Sequence, residues 1–102
     1  MLKINGNEIG KCDRPYIIAE MACAHNGKKE YAIKLIDLAV EAKADAIQLQ
    51  IFNVDEMMVS THKSYSVVKE IEFSQKDWSE IVAHAKKFNI DLLICAYDIE
   101  SL

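Results

Sequence analysis

The sequence lacks any apolar run long enough to cross a membrane, which would require roughly 20 consecutive apolar residues. Its first residues, MLKING, also lack the apolar core of a secretion signal. These two absences lead us to expect a cytoplasmic protein that has no membrane partner.

Basic residues are not in excess either. The 102 residues carry a formal net charge of −4, without a basic face or a basic arm. Surfaces that bind nucleic acid are usually basic, so we expect no nucleic acid partner. The sequence also contains no glycine-rich phosphate loop of either nucleotide-binding type, which disfavours dependence on a nucleotide.

Cysteine is scarce as well. The sequence has three cysteines, Cys12, Cys23 and Cys95, and no two of them are spaced as C-x-x-C. Their odd number argues against a disulfide framework, and their spacing argues against a structural zinc site. We therefore expect reduced thiols and no metal site formed by this chain alone.

What the sequence does contain is typical of one globular domain covering residues 1–102, since 51% of the residues are hydrophobic. Near the N-terminus, two short apolar segments flank Asn5-Gly6-Asn7. This combination predicts a hairpin, because Asn-Gly readily supplies the positive φ angles of a tight turn. Pro15 then ends this leader.

Three later segments predict strands. Residues 16–19 form a short apolar run that ends abruptly at Glu20, and residues 91–96 form another apolar run. Residues 46–50 alternate between apolar and polar side chains. Because alternate residues of a strand share a face, Gln48 and Gln50 would both point into the lumen of a barrel.

Helical periodicity separates these strands. Residues 29–41 repeat apolar side chains at three- and four-residue intervals, and so does the segment that follows Ser74. Ser74 itself resembles the first residue of a capping box. Residues 52–73 predict a long connection with room for one short helical turn, and residues 97–102 predict the beginning of a further helix.

The order strand, helix, strand, helix, strand predicts an α/β fold with parallel pairing and right-handed crossovers. The first and third strands would be open edges of the sheet. So short a chain also buries a smaller fraction of its surface than a complete barrel of roughly 250 residues. We therefore expect either self-association or a C-terminal remainder that is missing from this sequence.

Polar residues occur at or just beyond the C-terminal ends of the predicted strands, as Glu20, Gln50 and Asp98. Barrel enzymes assemble their active sites at this face from several loops. Glu20 is a candidate for orienting a sugar hydroxyl or a metal-bound water, and a helix-capping role fits its position equally well. His25 could hydrogen-bond a ligand or be structural, and Cys95 could be a core residue or a thiol at the rim of the site.

The segment 15–27, PYIIAEMACAHNG, resembles the opening strand and loop of N-acetylneuraminate (sialic acid) synthases, in which an Ala-Glu pair precedes an Asn-His-x-Gly motif. The similarity continues through residues 32–37, residues 44–50, Asp77-Trp78 and the DIES sequence at residues 98–101. It extends over nearly the whole chain but only over the family's N-terminal portion. The resemblance implies that the chain is part of a (β/α)₈ TIM barrel.

The resemblance also implies a reaction, the condensation of phosphoenolpyruvate with the open-chain aldehyde of an N-acetylated hexosamine such as N-acetylmannosamine. The products would be a nonulosonic acid and phosphate. A divalent metal ion, Mn²⁺ or Mg²⁺, would polarise the aldehyde oxygen. The metal-ligating histidines of the family lie beyond residue 102, so the chain alone should be inactive.

Three residues match the family motifs directly. Glu20 matches the catalytic glutamate that follows the first strand, His25 matches the motif histidine, and Gln50 matches the glutamine that closes the second strand. Gln48 occupies a substrate-facing position where the family usually has lysine, and an amide cannot supply that positive charge.

Other departures lie near the strand ends. Cys95-Ala96-Tyr97 replaces a Ser/Thr-Pro-Phe segment, which removes an expected hydroxyl contact to the ligand. Lys43 and Asn89 replace glycines that often follow the two helices, and lysine fits a left-handed backbone less well than asparagine does.

Two hypotheses follow. The chain is either the N-terminal part of a sialic-acid-type synthase or a divergent, non-catalytic barrel segment with a binding or assembly role. The replacements at Gln48 and Cys95 favour the second hypothesis.

Overall fold

The structure is a computed structural model that describes residues 2–10 and 14–102. Cys12, one of the three expected thiols, lies outside the described residues, and Cys23 and Cys95 are both free. The described chain forms a small hairpin and a three-stranded parallel sheet. In the part of the chain that the structure describes, no helix is long and apolar enough to cross a membrane.

The predicted hairpin is confirmed. Strands β1 (Leu2–Ile4) and β2 (Asn7–Ile9) pair antiparallel, with Leu2 opposite Ile9. Asn5 and Gly6 form the turn with φ angles of 46° and 86°, the left-handed conformations that favour Asn-Gly in two-residue hairpin loops.

The parallel sheet is formed by β3 (Ile18–Ala22), β4 (Ala46–Ile51) and β5 (Asp91–Ala96), in the spatial order β3-β4-β5. This confirms the predicted parallel order of the three strands. The central strand β4 pairs with both neighbours, whereas β3 and β5 each have one neighbouring strand among the described residues.

The predicted end of the first strand was wrong. We expected the strand at residues 16–19 with Glu20 just beyond it, but β3 continues to Ala22 and includes Glu20. Glu20 is compatible with the strand because it points to the exposed face, so its polarity does not interrupt the backbone pairing. A register irregularity between Glu20 and Ala22, where Ala22 has a φ of 49°, marks the true end of regular pairing.

Two long helices cover one face of the sheet, namely α1 (Lys29–Glu41) and α4 (Gln75–Ala85). Both match the predicted helical segments. The Ser74 side chain accepts a hydrogen bond from the Asp77 backbone N–H at 3.1 Å, so the predicted N-cap is confirmed. A side-chain hydrogen bond between His84 Nε2 and Asp37 Oδ1, 2.6 Å apart, links the two helices.

The long connection contains more regular structure than we predicted. It includes two short helices, α2 (Val54–Met57) and α3 (Tyr65–Glu70), in place of one helical turn. Tertiary contacts stabilise α2, because the Glu72 carboxylate accepts a hydrogen bond from the Val54 N–H at 2.6 Å. The helix predicted to begin at residues 97–102 is not present, and residues 99–101 form turns instead.

The hydrophobic core lies between the sheet and the two long helices. Ile47 and Leu49 of β4 are fully buried against this core, and so are Ile36 of α1 and Ile81 of α4. Burial of each such side chain contributes roughly 1.5–3 kcal/mol relative to exposure. The predicted alternation along β4 is confirmed, because the buried residues alternate with half-buried glutamines on the opposite face.

At the N-terminal ends of the strands, two carboxylates accept hydrogen bonds from neighbouring segments. Asp45, just before β4, accepts hydrogen bonds from the Arg14 guanidinium at 2.9 Å and from the Ile17 N–H at 2.7 Å. These two donors hold the pKa of Asp45 below its usual value. Asp91, the first residue of β5, accepts a hydrogen bond from the Tyr16 hydroxyl, and burial together with Asp91 raises the pKa of Tyr16 to about 12.

Helix α1 ends in a strained turn. Lys43 has a φ of 61°, and the N–H of Ala44 reaches back to the carbonyl of Ala39 at 3.1 Å. This is the Schellman geometry, in which the left-handed position usually holds glycine. The positive φ angle of Lys43 is therefore the physical reason why lysine fits this position poorly.

We expect Lys43→Gly to raise the free energy of unfolding by about 1 kcal/mol, because glycine adopts positive φ without the Cβ strain of lysine. Chemical denaturation would measure this gain, provided that the slope of the free energy of unfolding against denaturant concentration is the same in the variant and the wild type. Asn89→Gly is the matched control, because Asn89 does not have a positive φ. Glycine at this position relieves no strain and only adds entropy to the unfolded chain, so it should lower the free energy of unfolding. Equal effects of the two substitutions would contradict this explanation.

Candidate functional site

Side chains from all three parallel strands meet on the face of the sheet opposite to the helices. Glu20 of β3 lies beside Gln48 of β4, and Gln50 of β4 lies beside Cys95 of β5. Residues paired across parallel strands project to the same face. The structure therefore brings together three of the four site residues predicted from the sequence, namely Glu20, Gln48 and Gln50.

A hydrogen-bond network links the first two strands here. The Gln50 amide nitrogen donates to Glu20 Oε1 at 3.3 Å, and the Cys23 thiol donates to the Gln50 amide oxygen at 3.7 Å. With one contact on each side, the Gln50 amide has a defined orientation. Glu20 is exposed, so its second carboxylate oxygen is available to a ligand.

We use the term mouth for the group of six side chains at the C-terminal half of this face: Glu20, Cys23, Gln48, Gln50, Cys95 and Tyr97. Glu20 is the one carboxyl group of the six, and burial raises the pKa of the Cys23 thiol. The other members are amides, thiols and a phenol. The carboxylate of the mouth can accept hydrogen bonds, and its amides, thiols and phenol can donate or accept them. None of the six side chains offers a positive charge to an anion.

His25 is not part of the mouth. Its side chain is completely buried, with its ring centroid 4.3 Å from that of Phe73 and 6.2 Å from that of Trp78. The Gly27 N–H donates to His25 Nδ1 at 2.9 Å, which places the proton of the neutral ring on Nε2. Nε2 is buried and has no hydrogen-bond partner among the described residues.

The loop around His25 is fitted tightly against the long connection. Gly27 has a φ of 73°, and a Cβ atom at this position would lie 2.4 Å from the Glu70 carbonyl oxygen. Glycine is therefore required by both conformation and space. The contacts of His25 with aromatic rings and of Gly27 with Glu70 hold the loop that follows Glu20 against the long connection.

Asp98 also has a structural use. Its carboxylate accepts hydrogen bonds from the Asn53 N–H at 2.6 Å and from the Ser101 N–H at 2.8 Å. These contacts lower the pKa of Asp98 and fasten the end of β5 to the loop after β4. Both oxygens accept hydrogen bonds from backbone groups, so Asp98 holds together the two loops beside the mouth.

Sequence reasoning missed Cys23 and Tyr97 as members of the mouth. Tyr97 follows β5 and lies two residues after Cys95, so the alternation along the strand was the signal that could have found it. No comparable signal existed for Cys23, because it follows the irregular end of β3 and reaches Gln50 only through the tertiary fold.

The described residues do not form a metal site. No group of three histidine, cysteine, aspartate or glutamate side chains within residues 2–10 and 14–102 could hold a metal ion. At the mouth, Glu20 would be a single carboxylate ligand, which is insufficient for Mg²⁺ or Mn²⁺ without further donors.

Burial lowers the pKa of His25 from its usual value of 6.5, so its neutral form is favoured in the folded state. As the pH falls below about 6.5, the unfolded chain binds a proton more readily than the folded chain, and the free energy of unfolding should decrease. Chemical denaturation between pH 7 and pH 5 would measure this slope. This window lies above the usual value of 3.8 for the stabilised carboxylates Asp45 and Asp98.

The variant His25→Gln should lower stability at pH 7 and reduce the slope between pH 7 and pH 5. His62→Gln is the matched control, because it removes an imidazole from an exposed position and keeps the buried His25, so the slope that is due to His25 should remain. A slope that persists in His25→Gln would show that another group is responsible.

Comparison with known proteins gives a consistent result. A model of the NeuB family matches residues 35–102. The N,N'-diacetyllegionaminic acid synthase of Campylobacter jejuni is 31% identical over 84% of this chain and 30% of its own length. The N-acetylneuraminate-9-phosphate synthase of Drosophila melanogaster is 33% identical over 88% of this chain and 28% of its own length.

Solved structures agree with the sequence matches. The N-acetylneuraminic acid (sialic acid) synthetase from Leptospira borgpetersenii, crystallised in complex with citrate, superposes with a TM-score of 0.85 at 29% identity. The match covers 98% of this chain and 35% of that structure, so the chain spans about a third of its relatives' length. The fold is thus α/β and agrees with the expected portion of a TIM barrel, and the chain belongs to the NeuB family of sialic acid synthase relatives.

Proposed function

We propose that this chain forms the first part of the active site of a synthase that condenses phosphoenolpyruvate with an N-acetylated hexosamine, consuming one water, to give a nonulosonic acid and phosphate. The hydrogen bond between Gln50 and Glu20 at the mouth is the observation that carries this proposal. It positions a carboxylate at the end of the sheet where barrel enzymes bind their substrates. Relatives that match this chain over part of their own length are named as synthases of such acids.

In this proposal Glu20 orients the sugar. Its free carboxylate oxygen accepts a hydrogen bond from a sugar hydroxyl and holds the aldehyde carbon in position for carbon–carbon bond formation. Gln50 keeps the carboxylate in place through its amide nitrogen, while its amide oxygen is held by Cys23. His25 acts indirectly, because it anchors the loop that carries Cys23.

The phosphoenolpyruvate side of the reaction requires residues beyond this chain. Phosphoenolpyruvate carries a carboxylate and a phosphate, whereas the mouth contains the negative charge of Glu20 and the neutral amide of Gln48. A substrate of this charge needs cationic partners, and arginine or lysine side chains usually supply them. The chain alone is therefore proposed to be inactive.

A divalent metal ion, Mn²⁺ or Mg²⁺, is part of the proposed complete enzyme and would act as a Lewis acid on the aldehyde oxygen. Because the described residues provide no metal site, its ligands would come from elsewhere in the protein. We also propose a cytoplasmic location, since Cys23 and Cys95 are free thiols of the kind that persist in reducing compartments.

A second candidate function is a non-catalytic barrel segment that assembles with itself or with another chain. The exposed side chain of Ile18 on the open face of the sheet favours it, and so do the edges of β3 and β5 that have no partner strand among the described residues. The replacement of lysine by Gln48 and of a hydroxyl residue by Cys95 also fits this alternative.

Activity can be tested on the protein expressed from its complete reading frame, with phosphoenolpyruvate, N-acetylmannosamine and Mn²⁺. We expect phosphate release that decreases by about 100-fold or more in Glu20→Gln, since precise positioning contributes factors of this order. Glu30→Gln, on the exposed side of α1, should retain activity. The chain ending at Leu102 should release no phosphate.

Phosphate release by the 102-residue chain above that of its Glu20→Gln variant would contradict the proposed incompleteness. No turnover by the complete protein, together with a stable self-association measured by sedimentation, would favour the assembly role instead.

Gln48→Lys in the complete protein should raise the affinity for phosphoenolpyruvate about tenfold, because an ammonium group beside Glu20 would provide a charge-assisted hydrogen bond to the anion. Isothermal titration calorimetry would measure the change. Lys34→Gln is a control for a change in charge remote from the mouth, on α1. An unchanged affinity in Gln48→Lys would mean that residue 48 does not face the phosphoenolpyruvate site.

A further inference from the structure

Tyr97 has a defined backbone position at the end of the sheet. Its N–H donates to the carbonyl of Ile51 at 3.0 Å, which continues the pairing of β5 with β4 by one more residue. Tyr97 and Cys95 are two residues apart and therefore project to the same face, where Cys95 lies beside Gln50. The backbone thus directs Tyr97 to the mouth.

The ring of Tyr97 is supported on one side. Its centroid lies 6.3 Å from that of Phe52, with 31° between the ring planes, and Phe52 itself is 6% exposed. Tyr97 is 45% exposed. A large aromatic side chain that is braced by a buried ring and remains open on the other side is a typical contact surface for a ligand.

The hydroxyl of Tyr97 lies among the polar groups of the mouth. Burial raises the pKa of Tyr97, and the neighbouring Cys95 raises it further through charge and a hydrogen bond. Cys23 and Glu20 have smaller effects in the same direction. The phenol therefore stays protonated at neutral pH, and its oxygen can accept a hydrogen bond from a ligand hydroxyl.

Glu20 and Tyr97 define opposite sides of the mouth, with Gln50 between them. Glu20 belongs to β3 and Tyr97 follows β5, so the backbones of the two residues are two strand spacings apart, or roughly 10 Å. This distance suits a molecule that carries several hydroxyl groups along its length. The absence of a cation among the six mouth residues makes an uncharged molecule a better match than an anion.

We propose that Tyr97 is a binding residue for the uncharged, polyhydroxylated substrate and determines specificity at the side of the mouth opposite to Glu20. The ring contacts the C–H surface of the substrate, and the phenol oxygen accepts a hydrogen bond from one of its hydroxyl groups. This inference rests on the proposed function, because it assigns the acceptor sugar to the part of the site formed by β3, β4 and β5.

The test compares Tyr97→Phe and Tyr97→Ala with the wild type, each as the protein expressed from its complete reading frame. N-acetylmannosamine is the probe, and its Kd and KM are measured beside the KM for phosphoenolpyruvate and the melting temperature. We expect Tyr97→Phe to raise the Kd and KM for the sugar about five- to tenfold, the effect of one lost hydrogen bond. Tyr97→Ala should weaken sugar binding further, because it also removes the ring.

The matched control is Tyr31→Phe, which removes a hydroxyl from a tyrosine of similar exposure on α1. It should change none of these quantities. Tyr97→Phe should leave the KM for phosphoenolpyruvate and the melting temperature unchanged.

Sugar binding that is unaffected by Tyr97→Phe would overturn this inference and leave the proposed function standing. A lower melting temperature with equal losses for both substrates would also overturn it, because that pattern indicates a structural role. If the wild type binds no sugar and releases no phosphate, the proposed function fails and this inference fails with it.

Discussion

The alternation of side chains along β4 is the constraint on which the rest of the molecule depends. A central parallel strand has two faces and must satisfy both at once. Ile47 and Leu49 fill the core beneath the long helices, and the intervening Gln48 and Gln50 are then directed to the opposite face. A shift of register by one residue would bury the glutamines and expose the apolar side chains, so the same pattern that stabilises the sheet also positions the mouth.

The two ends of the sheet have different physical roles. At the N-terminal end, Asp45 and Asp91 are engaged by Arg14, Tyr16 and backbone groups, and they lock the strand starts together. At the C-terminal end, the Glu20 carboxylate has one long hydrogen bond to the described residues and is exposed to solvent. Carboxylates that are fully engaged stabilise the fold, whereas a carboxylate with an unused oxygen is available for binding. This difference is the reason for assigning function to one end only.

Residue type alone was a poor guide to the role of individual polar side chains. Asp98 and His25 are chemically capable groups, but the Asp98 oxygens accept hydrogen bonds from the backbone and the His25 side chain is buried. Tyr97, which sequence reasoning treated as part of a divergent segment and as the start of a further helix, projects to the mouth through its position relative to Cys95. The distinction depends on what each side chain contacts, and contacts between distant segments are not encoded in local spacing.

The sequence by itself determined the elements and their order, because hydrophobic periodicity and capping residues act over a few neighbouring positions. It therefore predicted α1, the cap of α4 at Ser74, the hairpin turn at Asn5-Gly6 and the facing of Gln48 and Gln50. Only the tertiary structure decided the extension of β3 past Glu20, the two short helices in the connection and the membership of Cys23 in the mouth. These features rest on pairing and hydrogen bonds between segments far apart in the chain, and their energies exceed the weak local preferences that a sequence pattern reports.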